Sequence, residues 1–235
     1  MASNPAAKKA SSTSEVRAAI EVLKKEHGWT NAALIGILKG GGTSSKGSEF
    51  EREFCERLSM WWAKRDDVFW RSSNSGGRAT TRRDAGMQTA GQFGDVAATD
   101  PAGHPLLRAL TIELKRGYNE HGIHDILDAP QNSAVQVYEG FFDQTMKAAK
   151  HAGSLSWLLV TRRDRREAIC WFPETVRTWF PPMKEAPCPR LVVTLEVRST
   201  DGSSSPVYVY GLLLSDFLKH LRPTHIHDAL KRSEV

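Results

Sequence analysis

The run Leu110-Thr111-Ile112-Glu113-Leu114-Lys115 alternates apolar and polar residues, and two of its polar positions carry full charge. Strand side chains point to opposite faces in turn, so Leu110, Ile112 and Leu114 share one face and Thr111, Glu113 and Lys115 the other. Charges inside a Leu/Ile strand cost several kcal/mol unless they are paired. Upstream lies Gly94-Asp95-Val96-Ala97-Ala98-Thr99, and the intervening Asp100-Pro101-Ala102-Gly103-His104-Pro105 has turn composition. Two short apolar runs around such a turn predict a β-hairpin centred on Gly103 and His104. That hairpin would bring Asp95 next to Glu113 across the ladder. Two carboxylates and an ammonium at one spot can hold a divalent metal and activate a water beside it. The plainer alternative is a cross-strand salt bridge on a solvated face.

A helix is predicted from about Ser48 to Lys64. With Phe50 at zero and ~100° per residue, Phe54, Cys55, Leu58, Trp61 and Trp62 fall within one arc of roughly 140°. Glu49, Glu53 and Glu56 fall outside it. Glu51 falls inside, between Leu58 and Trp62. A carboxylate in an apolar stripe needs a partner or a job: a buried Arg or a backbone group to cap, or else the Asp95/Glu113 cluster itself.

Charge points to a polyanionic partner. The formal net charge is +5 and the isoelectric point about 9.2, and Arg71, Arg78, Arg82 and Arg83 lie in a stretch without acids. Within it, Ser72-Ser73-Asn74-Ser75-Gly76-Gly77-Arg78 is rich in small residues whose backbone N–H groups can approach an anion. It lacks the Lys-Ser/Thr ending of a nucleotide P-loop. A second basic cluster, Arg162-Arg163-Asp164-Arg165-Arg166, also suits phosphate; a solvated face is the alternative for either.

Mean hydropathy is −0.42, and no apolar run approaches the ~18–20 residues of a membrane span. With no secretory apolar segment, a cytoplasmic protein is expected. Cys55, Cys170 and Cys188 have no paired metal spacing and suit reduced thiols. In Gly117–Pro130, expected to be a loop, His121, His124, Asp125 and Asp128 could form a second metal site, although loop histidines are more often solvated. Helical periodicity covers Ser133–His151. Leu155–Thr161 suits a strand buried on both faces, with Arg166–Phe172 beside it. After a proline-punctuated loop, Leu191–Val197 and Val207–Tyr210 suit a closing hairpin and Leu212–Leu221 a terminal helix. His225-Ile226-His227-Asp228 could bind metal, although a polar tail without that role is the expectation. The expected division is a flexible or helical extension over 1–45, a core over 46–172, and a C-terminal hairpin and helix over 173–235. The N-terminal extension includes short helices after Ser14 and over Asn31–Leu38, and a flexible Gly40–Ser45 linker.

The order helix with inward Glu51, strand, basic Ser/Gly loop, Gly94-Asp95, Glu113-Leu114-Lys115, helix, apolar strand resembles the PD-(D/E)XK nuclease superfamily, and within it small nucleases of phages and mobile elements. The resemblance covers about Lys46 to Phe172; Gly94 stands where many members carry Pro. It implies an α/β fold of restriction-endonuclease type, a central mixed β-sheet flanked by helices, with N- and C-terminal extensions. It implies a metal-dependent DNA endonuclease using Mg²⁺, with Mn²⁺ able to substitute. Asp95, Glu113 and the Leu114 carbonyl would be metal ligands, Lys115 and Glu51 further catalytic residues, and Gln144 an accessory. Arg71, Ser75, Arg78, Arg82 and Arg83 would contact nucleic acid, and the architecture admits a homodimer. The competing expectation is a nucleic-acid-binding or assembly module that keeps the fold without cleaving.

Overall fold

A computed structural model describes residues 44–72, 93–130, 133–181, 191–199 and 202–234, all but the first two within the compact unit Lys46–Val235. The expected helices of the N-terminal extension and Gly40–Thr43 of the expected linker lie outside the described residues, as does Cys188; Ser44 and Ser45, expected in the linker, instead open a helix.

Helix α1 (Ser44–Ala63) buries Phe50, Phe54, Cys55 and Leu58, the stripe that its spacing predicts. Buried Ser59 joins it to the next element: its hydroxyl donates to the Cys55 carbonyl at 2.8 Å and accepts the Phe69 N–H at 2.9 Å. Strand β1 (Phe69–Arg71) pairs antiparallel with β2 (Val96–Ala98), Arg71 opposite Val96, as a separate two-stranded ribbon.

The hairpin expected around Gly103 and His104 does not form. A short 3-10 turn (Pro101–Gly103) and helix α2 (His104–Ala109) separate β2 from β3 (Leu110–Arg116). The reason is local. Asp100 accepts the Ala102 N–H at 2.8 Å and starts a turn, a proline occupies the first turn of α2, and Leu106 and Ala109 bury the helix's apolar side.

The main sheet has the order β3-β4-β5-β7-β6, with β3 outermost. β3 runs parallel to β4 (Ser156–Arg162), with Glu113 opposite Leu159 and Lys115 opposite Thr161. The crossover contains the short helix α3 (His124–Leu127), inside the expected loop, and α4 (Val137–Ala152). β5 (Ile169–Pro173) is antiparallel to β4. After α5 (Glu174–Arg177), strands β6 (Leu191–Arg198) and β7 (Ser204–Leu213) form the closing hairpin, and β7 pairs with β5 inside the same sheet. Helix α6 (Leu214–His220) matches the expected terminal helix but is not the last: α7 (Pro223–Ser233) stands where a polar tail was expected. Its Ile226, Ala229 and Leu230 are buried, one apolar stripe among polar neighbours.

Apolar clusters cover both faces of the sheet. Leu110, Ile112 and Leu114 join the cluster that includes residues of α1, α2, α6 and α7; Trp157, Leu159 and Trp171 join residues of α4 on the other. The fold is α/β with a five-stranded mixed sheet flanked by helices, a restriction-endonuclease-like core. No helix of the described residues is long and apolar enough to cross a membrane.

Candidate active site

Asp95 reaches β3 without being its ladder partner. Gly94 adopts φ +80°, and a Cβ there would lie 2.6 Å from the Ile112 carbonyl oxygen. Only glycine tolerates both the left-handed backbone and the close approach. Ser72 holds the turn from the other side: its hydroxyl donates to the Gly94 carbonyl at 2.8 Å, and its N–H to the Asp95 carbonyl at 2.9 Å. The Asp95 N–H then donates to Ile112 at 2.8 Å, and the Asp95 carboxylate accepts the Leu114 N–H at 2.7 Å. In an extended strand a residue's N–H and C=O leave on the same side, so the Leu114 carbonyl is directed toward the Asp95 segment as well.

Glu113 and Asp95 are both buried, and their carboxyl groups lie close enough for Asp95 to raise Glu113. The proximity expected from the sequence is therefore present, reached through a backbone stitch. Lys115 Nζ donates to Gln144 Oε1 at 3.0 Å and lies 3.4 Å from Glu113 Oε2, while Gln144 Nε2 donates to that same oxygen at 3.1 Å. Gln144, from α4, thus bridges acid and base. The Lys115 ammonium also sits 5.6 Å from the centre of the Phe141 ring. Burial, and then the charge of Asp95, push the Glu113 carboxyl up to about 8; Lys115 pulls it the other way.

This donor set fits a divalent cation. Two buried carboxyls face a single ammonium, and a divalent cation would offset both the burial and the Asp95 charge that keep Glu113 protonated in its absence. Among the described residues no group of three His, Cys, Asp or Glu side chains could hold a metal. The protein ligands on offer are Asp95, Glu113 and the Leu114 carbonyl, few enough to suit an ion that keeps several waters.

The Glu51 carboxylate pairs with Arg71 Nε at 3.1 Å, and its side chain is 15 % exposed. The buried-Arg alternative describes this contact, although the Arg71 side chain is itself 33 % exposed. Arg71 ends β1 just before Ser72, so the pair borders the Asp95 turn. Ser75, Arg78, Arg82 and Arg83 lie outside the described residues. In the second basic cluster Arg162 pairs with Glu53 at 2.6 Å, and Asp164 accepts from Asn119 at 3.2 Å and lies 3.8 Å from Arg116 Nε. In the His121 loop, His121 and Asp125 approach to 3.5 Å. Sequence reasoning missed the hold of Ser72 on Gly94 and the Phe141 ring under Lys115; Ser72 was legible only as one small residue of a loop, and Phe141 only as one apolar position of a helix.

A profile of the family described as "Phage putative PDDEXK endonuclease" matches residues 42–228. No curated protein and no solved structure matches the chain. The matched span takes in Glu51, Asp95, Glu113, Lys115 and Gln144 together with the whole five-stranded sheet, and the chain belongs to this phage family of PD-(D/E)XK endonucleases.

Proposed function

We propose that the protein is a metal-dependent deoxyribonuclease that hydrolyses phosphodiester bonds at the Asp95/Glu113/Lys115 cluster. The observation that carries this reading is the proximity of the two buried carboxyls, with the Lys115 ammonium beside them. Asp95, Glu113 and the Leu114 carbonyl would hold Mg²⁺, with Mn²⁺ a substitute. The ion would supply a bound water of lowered pKa and charge screening for the phosphodiester.

The remaining roles belong to the chain's own groups. Lys115, held by Gln144 and Glu113, orients the attacking water and offsets charge that builds on phosphate. Asp95, fixed by the Leu114 N–H, keeps its second oxygen available. Glu51 holds the Arg71 guanidinium, a group suited to a backbone phosphate. The basic balance of the chain, +5, favours a nucleic-acid substrate.

Supercoiled plasmid, linear duplex, single-stranded DNA and RNA, each incubated with Mg²⁺ or Mn²⁺, test the reading. Cleavage of DNA that EDTA stops and that Glu113→Gln lacks is the expected result. Cleavage persisting in excess EDTA overturns the metal dependence. DNA binding without cleavage of any substrate favours the assembly-module alternative, and cleavage of RNA alone overturns the DNA assignment.

A further inference from the structure

On the α4 side of the sheet a cavity of about 230 Å³ opens among Tyr138, Trp171, Leu191, His121, His124 and Arg163. We propose that it takes one unpaired nucleobase of the substrate strand, next to the phosphate engaged at Lys115. This deepens the nuclease reading and rests on it.

Four observations carry the assignment. The first is position: Tyr138 and Arg163 also line a small recess shared with Lys115 and Phe141, so the two spaces have walls in common. The Tyr138 and Phe141 rings are 5.4 Å apart, which puts Tyr138 one ring away from the Lys115 ammonium. The second is the wall itself. Trp171 and Tyr138 are 4 % and 5 % exposed, and their rings meet edge to face. The Trp171 indole N–H donates to Thr161 at 2.8 Å, which fixes the ring. Gly211 is needed beside it, since a Cβ there would lie 2.7 Å from the indole. Rigid aromatic and aliphatic walls stack any base, whatever its sequence.

The third observation is polar. The Tyr138 ring is almost wholly buried, while its hydroxyl reaches the solvent side and has no hydrogen-bond partner among the described residues. A base edge entering the cavity would offer one. Arg163 and the two histidines add donors, with Arg163 suited to the phosphate of the entering nucleotide. The fourth is size. The cavity is smaller than the roughly 300–1,000 Å³ of a drug-sized pocket. It accommodates one ring system and excludes a base pair, so a base must be unpaired or extruded to enter.

The test is binding measured in EDTA, so that no strand is cut. Labelled blunt duplex is compared with the same duplex carrying a short single-stranded tail, and with a tail of abasic residues. The expected result is about tenfold tighter binding of the base-containing tail than of the abasic one. Leu191→Trp and Leu191→Phe, which fill the mouth from a partly exposed position, should each remove that preference while keeping duplex affinity within about twofold. Thermal melts confirm that both variants fold, and Leu191→Phe, the smaller change, carries the test alone if Leu191→Trp does not. Equal affinity of wild type for base-containing and abasic tails overturns the proposal, as does a preference that survives in every folded variant. Mg²⁺-dependent cleavage is assayed in parallel. Cleavage with no base preference removes the cavity assignment and leaves the nuclease reading; base preference without cleavage does the reverse.

Discussion

The Leu114 N–H donates to the Asp95 carboxylate at 2.7 Å, so one acid of the cluster is held by the backbone of the strand that carries the other. Asp95 therefore has two duties, holding the stitch and facing Glu113. Substitutions that separate these duties are informative.

Asp95→Asn keeps an oxygen that can accept from Leu114 but loses the charge; Glu113→Gln keeps the Gln144 and Lys115 contacts in part. Each should lower DNA cleavage on the order of 100-fold or more, the scale of losing one group that stabilises charge in the transition state. Affinity for DNA in EDTA should be unchanged or higher, since a carboxylate that repels phosphate has gone. Single-turnover cleavage and anisotropy, run on the same preparations, check this pair of outcomes.

Glu113 also sets a pH dependence. Its carboxyl titrates near 8 in the folded protein and near 4.5 when unfolded. Between those values the folded state holds the extra proton, so the contribution to stability is full below about 4.5 and is lost as pH rises through about 8. Its size is on the order of a few kcal/mol. Metal-free protein should melt at a lower temperature at pH 8.5 than its Glu113→Gln variant predicts from pH 6. Added Mg²⁺ should raise the wild-type melting temperature more at pH 8.5 than at pH 6.

Gly94→Ala should cost about 1–3 kcal/mol from backbone strain alone, with more from the approach to Ile112. It should also lower cleavage beyond what lost stability explains, because the Asp95 N–H and carboxylate bonds both depend on that turn. Urea melts give the first quantity, and cleavage measured far below the melting point gives the second. Normal activity in a folded Gly94→Ala protein would separate the turn from the chemistry.

Glu51→Gln and Arg71→Gln should impair cleavage by similar factors, and the double variant by little more than either, since the two residues act as one unit. Glu53→Gln, whose charged partner among the described residues is Arg162 in a surface pair, should be nearly silent. Additive losses for Glu51 and Arg71 would show that the 3.1 Å contact does not couple them.

The sequence made the strand faces legible because period-two alternation is a local property: Ile112 and Leu114 lie in one apolar cluster, and Glu113 meets Gln144 on the opposite face. The α1 stripe was legible for the same reason. The connection from Asp95 to Glu113 was not. The turn residues from Asp100 to Pro105 suit a hairpin and a capped helix about equally, and burial of Leu106 and Ala109 decided between them. The Glu51 partner was open because a wheel gives the direction of a side chain but not what stands opposite. The tail misled through its polarity. Ile226, Ala229 and Leu230 make a narrow apolar stripe, and His227 lies against Trp62 with ring centres 5.1 Å apart.

β3 is an outermost strand, and such strands ordinarily present free N–H and C=O groups on which another chain's strand can grow. Here the Asp95 segment already occupies the outward groups at Ile112 and Leu114. The turn that delivers the carboxylate therefore also blunts the sheet margin against strand-by-strand polymerisation. Replacing Asp95 with an apolar residue would reopen part of that margin, so resistance to aggregation and the placement of the acid are met by the same few atoms.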